Sequence, residues 1–181
     1  MAAWQSQTLS RKSEDLLTKT IGLISDTHIP VRAKEIPKKV FGAFEKADFI
    51  IHAGDIVEMA VIDELEQIAP VLAVSGNMDG PEIRGKLPKI NSVKVFDWKI
   101  GVTHDSGALF GTKKMREVVK KNGFNALVYG HTHTSSIKLE ENILFVNPGS
   151  PTNPLPPFMT KPTVALLNVT KEKILPEMVY V

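Results

Sequence analysis

The sequence predicts an α/β fold whose N-terminal half is of the parallel type and whose C-terminal half is antiparallel. Two observations carry this prediction. In the first half, short apolar runs without alternation, typical of strands buried on both faces, alternate with amphipathic helical segments. In the second half, strand-like segments follow one another with mostly short connections. Strand–helix alternation requires crossovers and therefore parallel pairing, whereas short links favour antiparallel neighbours.

The N-terminal half contains three predicted strands and two predicted helices. The strand segments are Thr20–Ser25, Phe49–His52 and Val71–Val74. Pro37 begins the first helix, because proline is well tolerated in the first turn. The apolar faces of the two helices comprise Val40, Phe41, Phe44 and Ala47 in the first, and Val61, Ile62, Leu65, Ile68 and Ala69 in the second. Each predicted strand is followed by polar residues, where ligands of parallel sheets bind.

The C-terminal half is predicted to be rich in strands. These cover residues 93–96, 99–103, 126–129, 135–139, 143–147, 163–169 and 174–180. A basic helix from about Thr112 to Lys121, ended by Asn122 and Gly123, precedes the third of them. The proline-rich residues 148–162 are expected to loop across the surface. One domain over residues 20–181, preceded by a loose tail over residues 1–19, is the expected organisation.

Composition restricts the class of function. The chain of 181 residues suits a single domain and has no cysteine, which excludes disulfides and thiolate metal sites. No apolar run is long enough to cross a bilayer, and no apolar signal region opens the chain, so we expect a cytoplasmic protein without membrane contact. The net charge of +2 and a basic helix interpreted as a solvated face do not favour nucleic acid as a partner. A homo-oligomer is left open.

Five predicted strand ends deliver side chains that can bind metal. These are Asp26 and His28, then Asp55, then Asn77, then His104, then His131 and His133. The histidine pair alone could be an incidental loop, but its repetition favours two cations that share the Asp55 carboxylate. Gly130 is expected to let the chain bend before the pair, because glycine reaches conformations closed to other residues. Mixed oxygen and imidazole ligands favour Mn, Fe, Ni, Co or Zn over Mg or Ca.

At these residues the sequence resembles the calcineurin-like metallophosphoesterases, and in particular their small single-domain phosphodiesterase branch. The shared motifs are Ser25-Asp26-Thr27-His28, Gly54-Asp55, Gly76-Asn77, Thr103-His104, Gly130-His131-Thr132-His133 and Asn147-Pro148-Gly149-Ser150. Their order is the same, and the match extends from about Ile21 to Val181. The resemblance implies an α/β-β-α sandwich, in which two packed sheets are flanked by helices.

The resemblance also implies a ligand set and an activity. The seven ligands divide into Asp26, His28 and His133 for one metal, Asn77, His104 and His131 for the other, and Asp55 between them. Asp55, Asn77 and His104 are expected to act in catalysis as well. The implied reaction is hydrolysis of a phosphodiester by attack of a metal-bridging hydroxide. Two divalent ions, manganese before Ni, Fe, Co or Zn, and a small phosphodiester or nucleotide substrate are expected.

Several residues near these motifs admit more than one interpretation. Met78 stands where many larger relatives have a histidine regarded as the acid for the leaving group, and Asp79 is either its substitute or a turn residue. Asp105 either orients His104 or faces solvent. We interpret His52 as a hydrogen-bonded structural histidine rather than a ligand. A structural role is also expected for Asn147 and Ser150.

Two other functions remain open. A phosphomonoesterase could use the same site. A non-enzymatic interaction scaffold is the other alternative, because Asp26-Thr27-His28-Ile29-Pro30 followed by Arg32 resembles the retromer subunit that has this fold. Every metal position in this sequence keeps a competent ligand, which favours the enzyme.

Overall fold

The computed structural model describes residues 18–105, 107, 112–155 and 160–181. Within these ranges it contains ten strands, which are β1 (Lys19–Ile24), β2 (Phe49–His52), β3 (Val71–Ala73), β4 (Ile90–Val95), β5 (Trp98–Thr103), β6 (Ala126–Tyr129), β7 (Ser136–Glu140), β8 (Ile143–Asn147), β9 (Thr163–Val169) and β10 (Ile174–Tyr180). The helices are α1 (Lys38–Phe44), α2 (Ala60–Glu66), α3 (Pro81–Lys86) and α4 (Thr112–Asn122). All ten predicted strands are therefore confirmed. Residues 1–17 of the expected tail lie outside the described ranges.

The strands form two mixed five-stranded sheets. The first has the order β10-β9-β1-β2-β3, in which β1, β2 and β3 are parallel and β9 and β10 are antiparallel to their neighbours. The second has the order β4-β5-β6-β8-β7, with parallel pairing of β5, β6 and β8 and an antiparallel strand at each edge. Helix α4 supplies the crossover between β5 and β6, which is why these two strands run in the same direction.

The antiparallel pairing expected in the C-terminal half occurs in three hairpins: β4 with β5, β7 with β8, and β9 with β10. Each hairpin has a short turn, as the sequence predicts. Strand β8 also pairs in parallel with β6, and β9 lies in the other sheet. The long connection between β8 and β9, over residues 148–162, gives the chain the reach to change sheets. Residues 156–159 of this connection lie outside the described ranges.

Three apolar cores hold four layers together in the order helix, sheet, sheet, helix. Side chains of β1 and β2, such as Leu23 and Ile51, pack against Val102 and Val128 of the second sheet. The outer face of the first sheet packs against α1, α2 and α3. On the outer face of the second sheet, α4 packs with Met115 and Val119 against Leu127, Tyr129 and Phe145. The fold is thus the predicted α/β sandwich, in which burial of each large side chain contributes about 1.5–3 kcal/mol.

Helix α3 is the element that the sequence pattern does not predict. It has only six residues, begins with Pro81, contains Gly85 and buries one apolar side chain, that of Ile83. A helix this short shows too few apolar positions for a period to be recognised. Among the described residues, no helix has the length and apolar composition needed to cross a bilayer.

Candidate metal centre

All five predicted strand ends meet at one edge of the sandwich. Within the first sheet the register places Ile24 beside His52 and His52 beside Ala73, so the polar residues that follow start at the same level. Backbone hydrogen bonds then join the loops after β1 and β2, from the Asp26 N–H to the Gly54 carbonyl and from the His28 N–H to the Asp55 carbonyl, both of 3.0 Å. In the second sheet the Gly130 N–H donates to the His104 carbonyl over 3.1 Å.

Five of the seven expected ligands have left-handed backbone conformations. The φ angles are +54° at Asp26, +47° at His28, +57° at Asp55, +73° at His131 and +56° at His133. This region is sparsely populated by residues with a Cβ and is concentrated at functional sites. The turn at each residue directs its side chain inward over the edge of the sheet. The Asp-x-His and His-x-His pairs therefore converge, as the sequence predicts.

Glycine is required beside these ligands by close approach. The expected reason for Gly130, a backbone conformation closed to other residues, is wrong, because its φ is not positive and the bend falls on His131 and His133. A Cβ at Gly130 would instead lie 2.8 Å from Asp26 Oδ2. A Cβ at Gly76 would lie 2.1 Å from Asp55 Oδ1. Both glycines leave room for a ligand carboxylate.

The first ligand group consists of Asp26, His28, Asp55 and His133, which offer ligand atoms that all lie within 4.8 Å of one another. The Nε2 atoms of His28 and His133 are 3.1 Å apart. Asp26 Oδ1 lies 3.4 Å from His133 Nε2, and Asp55 Oδ2 lies 3.5 Å from His28 Nε2. Ligands about 2.1 Å from a cation lie about 3.0–3.4 Å apart in octahedral or tetrahedral sites, so these separations fit one metal ion.

The second ligand group consists of Asn77, His104 and His131 around the same aspartate. Asn77 Oδ1 lies 2.9 Å from both His104 Nε2 and His131 Nδ1. Asp55 Oδ2 lies 3.3 Å from His104 Nε2, in addition to its 3.5 Å approach to His28. One carboxylate oxygen therefore contacts an imidazole of each group, which is the position expected of a bridging ligand.

Backbone carbonyls orient two of the imidazoles. His104 Nδ1 donates to the Ala53 carbonyl over 2.8 Å, and His133 Nδ1 donates to the Asn153 carbonyl over 2.6 Å. Each ring then keeps its proton on Nδ1 and presents the Nε2 lone pair to the cluster, which is the tautomer that a metal ligand needs. The donor set thus fits divalent transition ions, and this orientation supports the fit.

Burial and mutual charge shift the pKa values of these groups in the protein without metal. Burial raises the pKa of Asp26. For Asp55, burial acts upward, but the hydrogen bond and charge of His104 and the Met78 N–H bring the pKa below its ordinary value. Burial opposes protonation of His104, yet the carboxylates of Asp55 and Asp26 raise its pKa. Burial lowers the pKa of His28, which favours the neutral, ligating form.

His52 is a buried structural histidine behind the site, as we interpreted it. Its Nδ1 accepts the Gly54 N–H over 3.2 Å, so its proton lies on Nε2, 3.2 Å from Thr27 Oγ1. The Thr27 hydroxyl in turn donates to the Asp55 carbonyl over 3.4 Å. Burial, with the charge of His104 next, lowers the pKa of His52 from 6.5 to about 3. The neutral ring therefore links the loops that carry Asp26 and Asp55.

The structure decides the role of Asp79. Its carboxylate is fully buried and accepts the N–H groups of Ile56, Val57 and Gly76, each over 2.7 Å. These bonds fix the loop after Asp55 to the loop that carries Asn77. Asp79 is thus a structural anchor rather than a proton donor, in agreement with the turn interpretation.

Met78 and Asp105 have simpler surroundings. The Met78 N–H donates to Asp55 Oδ1 over 2.8 Å, while its side chain is 51% exposed. Asp105 is exposed and accepts the Gly107 N–H over 2.7 Å, whereas His104 Nδ1 is bonded to the Ala53 carbonyl.

The end of β8 and the residues after it support the first ligand group, which is the structural role expected of Asn147 and Ser150. Asn147 Nδ2 donates to the Gly130 carbonyl over 3.1 Å, and Ser150 Oγ donates to the Asp26 carbonyl over 2.7 Å. The Asn153 carbonyl that holds His133 is a functional group that the sequence motifs do not reveal. A backbone carbonyl leaves no signal in residue type, so only the fold identifies it.

The chain is similar to known proteins along most of its length. Residues 20–172 match the model of the calcineurin-like phosphoesterase superfamily domain. The chain is 39% identical over 155 residues to a probable metallophosphoesterase of Methanothermobacter thermautotrophicus, covering 85% of this chain and 88% of the relative. It is 40% identical over 161 residues to a probable metallophosphoesterase of Methanocaldococcus jannaschii, covering 88% and 82%. A phosphodiesterase of the latter organism is 32% identical over 163 residues, covering 84% and 95%.

Solved structures give the same result for the fold. Vacuolar protein sorting 29 from Cryptosporidium parvum superposes with a TM-score of 0.76 at 24% identity, covering 91% of this chain and 98% of that one. A novel archaeal phosphodiesterase superposes with a TM-score of 0.67 at 28% identity, covering 88% and 99%. The resemblance drawn from five strand-end motifs is confirmed, and the chain belongs to the calcineurin-like phosphoesterase superfamily.

Proposed function

We propose that this protein hydrolyses small phosphodiesters with two divalent cations, manganese first among them, held by the seven strand-end ligands. The broader prediction of a metal-dependent phosphodiesterase is confirmed by the family and by the relative of that name. The number and identity of the cations, the substrate and a cytoplasmic location belong to the proposal.

The observation that carries the proposal is the position of Asp55 Oδ2. This atom lies 3.5 Å from His28 Nε2 on one side and 3.3 Å from His104 Nε2 on the other. The remaining oxygen of the carboxylate accepts the Met78 N–H, so the side chain cannot rotate without losing that bond. A carboxylate fixed between the first and the second ligand group is suited to hold two cations close together.

The chemistry divides between the cations and the chain. When bound, two cations would neutralise phosphoryl charge and lower the pKa of a water molecule, so that its oxygen attacks phosphorus as the ester oxygen leaves. Asp55, Asn77 and His104 are assigned to positioning at this centre. In the described residues, neither Met78 nor Asp79 is a proton donor for the leaving group, because one is a thioether and the other is saturated by backbone N–H groups. Diesters with a good leaving group are therefore the favoured substrates.

The test is hydrolysis of bis-p-nitrophenyl phosphate by protein stripped of metal and reloaded separately with Mn, Ni, Zn and Mg. We expect Mn or another transition ion to restore turnover, and Asn77→Ala, Asp55→Asn and His131→Ala to abolish it. Asn168→Ala is the matched control for Asn77→Ala, because Asn168 bonds Thr20 at the far end of β1. Full activity of Asp55→Asn in the loaded protein would contradict the two-cation assignment.

The same experiment separates the alternative functions. Faster hydrolysis of p-nitrophenyl phosphate than of the diester would make the protein a phosphomonoesterase. Absence of turnover with every metal, while calorimetry shows that two ions bind, would favour an interaction scaffold that keeps its metals for structure.

A further inference from the structure

A pocket opens directly beside the second ligand group. Asn77 and His104 form one part of its wall, and Arg84 and Lys89 form another. Its volume is about 320 Å³, within the range of small-molecule sites. A substrate whose phosphate lies at the ligands therefore has room to extend into a pocket that these two basic residues line.

Arg84 and Lys89 carry positive charges that no carboxylate neutralises in the described part of the chain. Both are exposed, and neither side chain has an ion pair or hydrogen bond there. Lys86, on the same helix α3, differs, because its Nζ lies 2.7 Å from Glu82 Oε1. Among the described basic residues between Pro81 and Lys89, the two that line the pocket are therefore the ones without an ion pair.

The pocket also has one acidic group among its described lining residues, and this group does not cancel the positive charge. Asp105 lines the pocket, and its Oδ1 accepts the Gly107 N–H over 2.7 Å. Two cations and one anion leave the wall with a net positive charge. A guanidinium and an ammonium that belong to residues lining one pocket are suited to bind a phosphate, the arginine through paired N–H groups and the lysine as a point charge.

We propose that this pocket binds a second phosphate group of the substrate, separate from the phosphodiester that is hydrolysed. The proposal rests on the proposed function and names the substrate class: a phosphodiester, such as a nucleotide ester, with a further terminal phosphate on the group that stays bound. Arg84 and Lys89 are then the residues that determine specificity. They act on binding of the substrate, since of the expected ligands only Asn77 and His104 line this pocket, in another part of its wall.

Two nitrophenyl esters test this directly, because they differ only in the second phosphate. Thymidine 5′-(p-nitrophenyl phosphate) and its 3′-phosphorylated form release the same p-nitrophenolate. We expect the Mn-loaded protein to show a KM about ten-fold lower for the 3′-phosphorylated ester, with a similar kcat. Equal KM values for the two esters would overturn the proposal while leaving the phosphodiesterase activity established.

Substitutions assign the preference to residues. Arg84→Met and Lys89→Met should each raise KM for the 3′-phosphorylated ester about ten-fold and leave KM for the other ester unchanged. Lys86→Met is the matched control, since it removes the same charge from helix α3 outside the pocket, and it should leave both values unchanged. An equal effect of all three variants would point to general electrostatic attraction and contradict a built site.

A binding measurement keeps the pocket distinguishable from the activity. Calorimetry in the presence of chelator should show thymidine 3′,5′-bisphosphate binding about ten-fold more tightly than thymidine 5′-monophosphate, with the difference lost in Arg84→Met. This result without any turnover of either ester would contradict the proposed function and support the pocket. Equal affinity for the two nucleotides, together with no loss of affinity in Arg84→Met, would refute the pocket whatever the activity.

Discussion

Replacing His52 with glutamine should remove a defined part of the acid sensitivity of the fold. In the folded protein the pKa of His52 is lowered from 6.5 to about 3, chiefly by burial. Below pH 6.5, His52 therefore binds a proton in the unfolded chain but stays neutral in the folded chain until the pH approaches 3. The free energy of unfolding must fall as the pH decreases from 6.5 towards 3, and His52 contributes no such loss above this window.

The magnitude follows from the two pKa values. About pH 5 is roughly 1.5 units below the pKa of His52 in the unfolded chain, so protonation stabilises the unfolded chain by about 2 kcal/mol. At about pH 7.5 this contribution is close to zero. His52→Gln has no such group, while its amide can still accept the Gly54 N–H and donate to Thr27. Between these two pH values, wild type should lose about 2 kcal/mol more stability than the variant.

Urea unfolding followed by tryptophan fluorescence measures this difference. Chelator must be present at both pH values, because release of bound metal would otherwise contribute to the acid loss. Comparing the two losses removes the contribution of every group that titrates equally in the two proteins. Parallel curves for wild type and His52→Gln would refute the assignment of a buried neutral imidazole.

Three further predictions concern the ligands and their supports. Gly76→Ala should abolish phosphodiesterase activity and weaken metal binding in calorimetry, because its Cβ would lie 2.1 Å from Asp55 Oδ1. Gly42→Ala is the control and should retain both properties, because a Cβ at Gly42 would have no atom within 4 Å. Asp79→Ala should lower the free energy of unfolding by about 3 kcal/mol or more in urea titrations, since two buried N–H groups and one partly buried N–H group lose their acceptor. Asp79→Asn, which keeps one acceptor oxygen, should lose less, and equal losses would contradict the anchor role. Metal affinity should rise with pH through the raised pKa of His104, because that imidazole must release its proton to bind a metal ion. Calorimetry in buffers of different ionisation enthalpy would detect the released proton. A pH-independent affinity would contradict the assignment of His104 as a ligand.

The fold and the general location of the site follow from local pattern. Buried strands such as β2 and β6 are uninterrupted apolar runs, and the polar residues after them form the candidate site. Helix α3 escapes prediction because a single buried residue, Ile83, defines no period. The pairing of β8 with β6 cannot be predicted from local pattern, because the sheet that a strand joins depends on contacts with residues distant in the chain.

The supports of the site escape prediction for a related reason. Asp79 has the sequence context of a turn residue, and nothing local shows that its carboxylate bonds the N–H groups of Ile56 and Val57, more than twenty residues earlier. The carbonyls that orient His104 and His133 belong to Ala53 and Asn153, whose identity does not matter to the bond. Motifs reveal ligands because ligands need particular side chains, whereas backbone partners need only a particular place.

The left-handed conformations at Asp26, His28, Asp55, His131 and His133 have an evolutionary consequence. Each costs free energy that glycine at the same position would largely avoid, so the ligands make the protein less stable than its fold allows. In a descendant released from metal chemistry, glycine would relieve this strain, but at Asp26 and Asp55 it would also remove the acceptors of the His131 and Met78 N–H groups. The gain is therefore expected at His131, which is only partly buried, so that loss of the proposed metal site could raise the stability of this fold at that position.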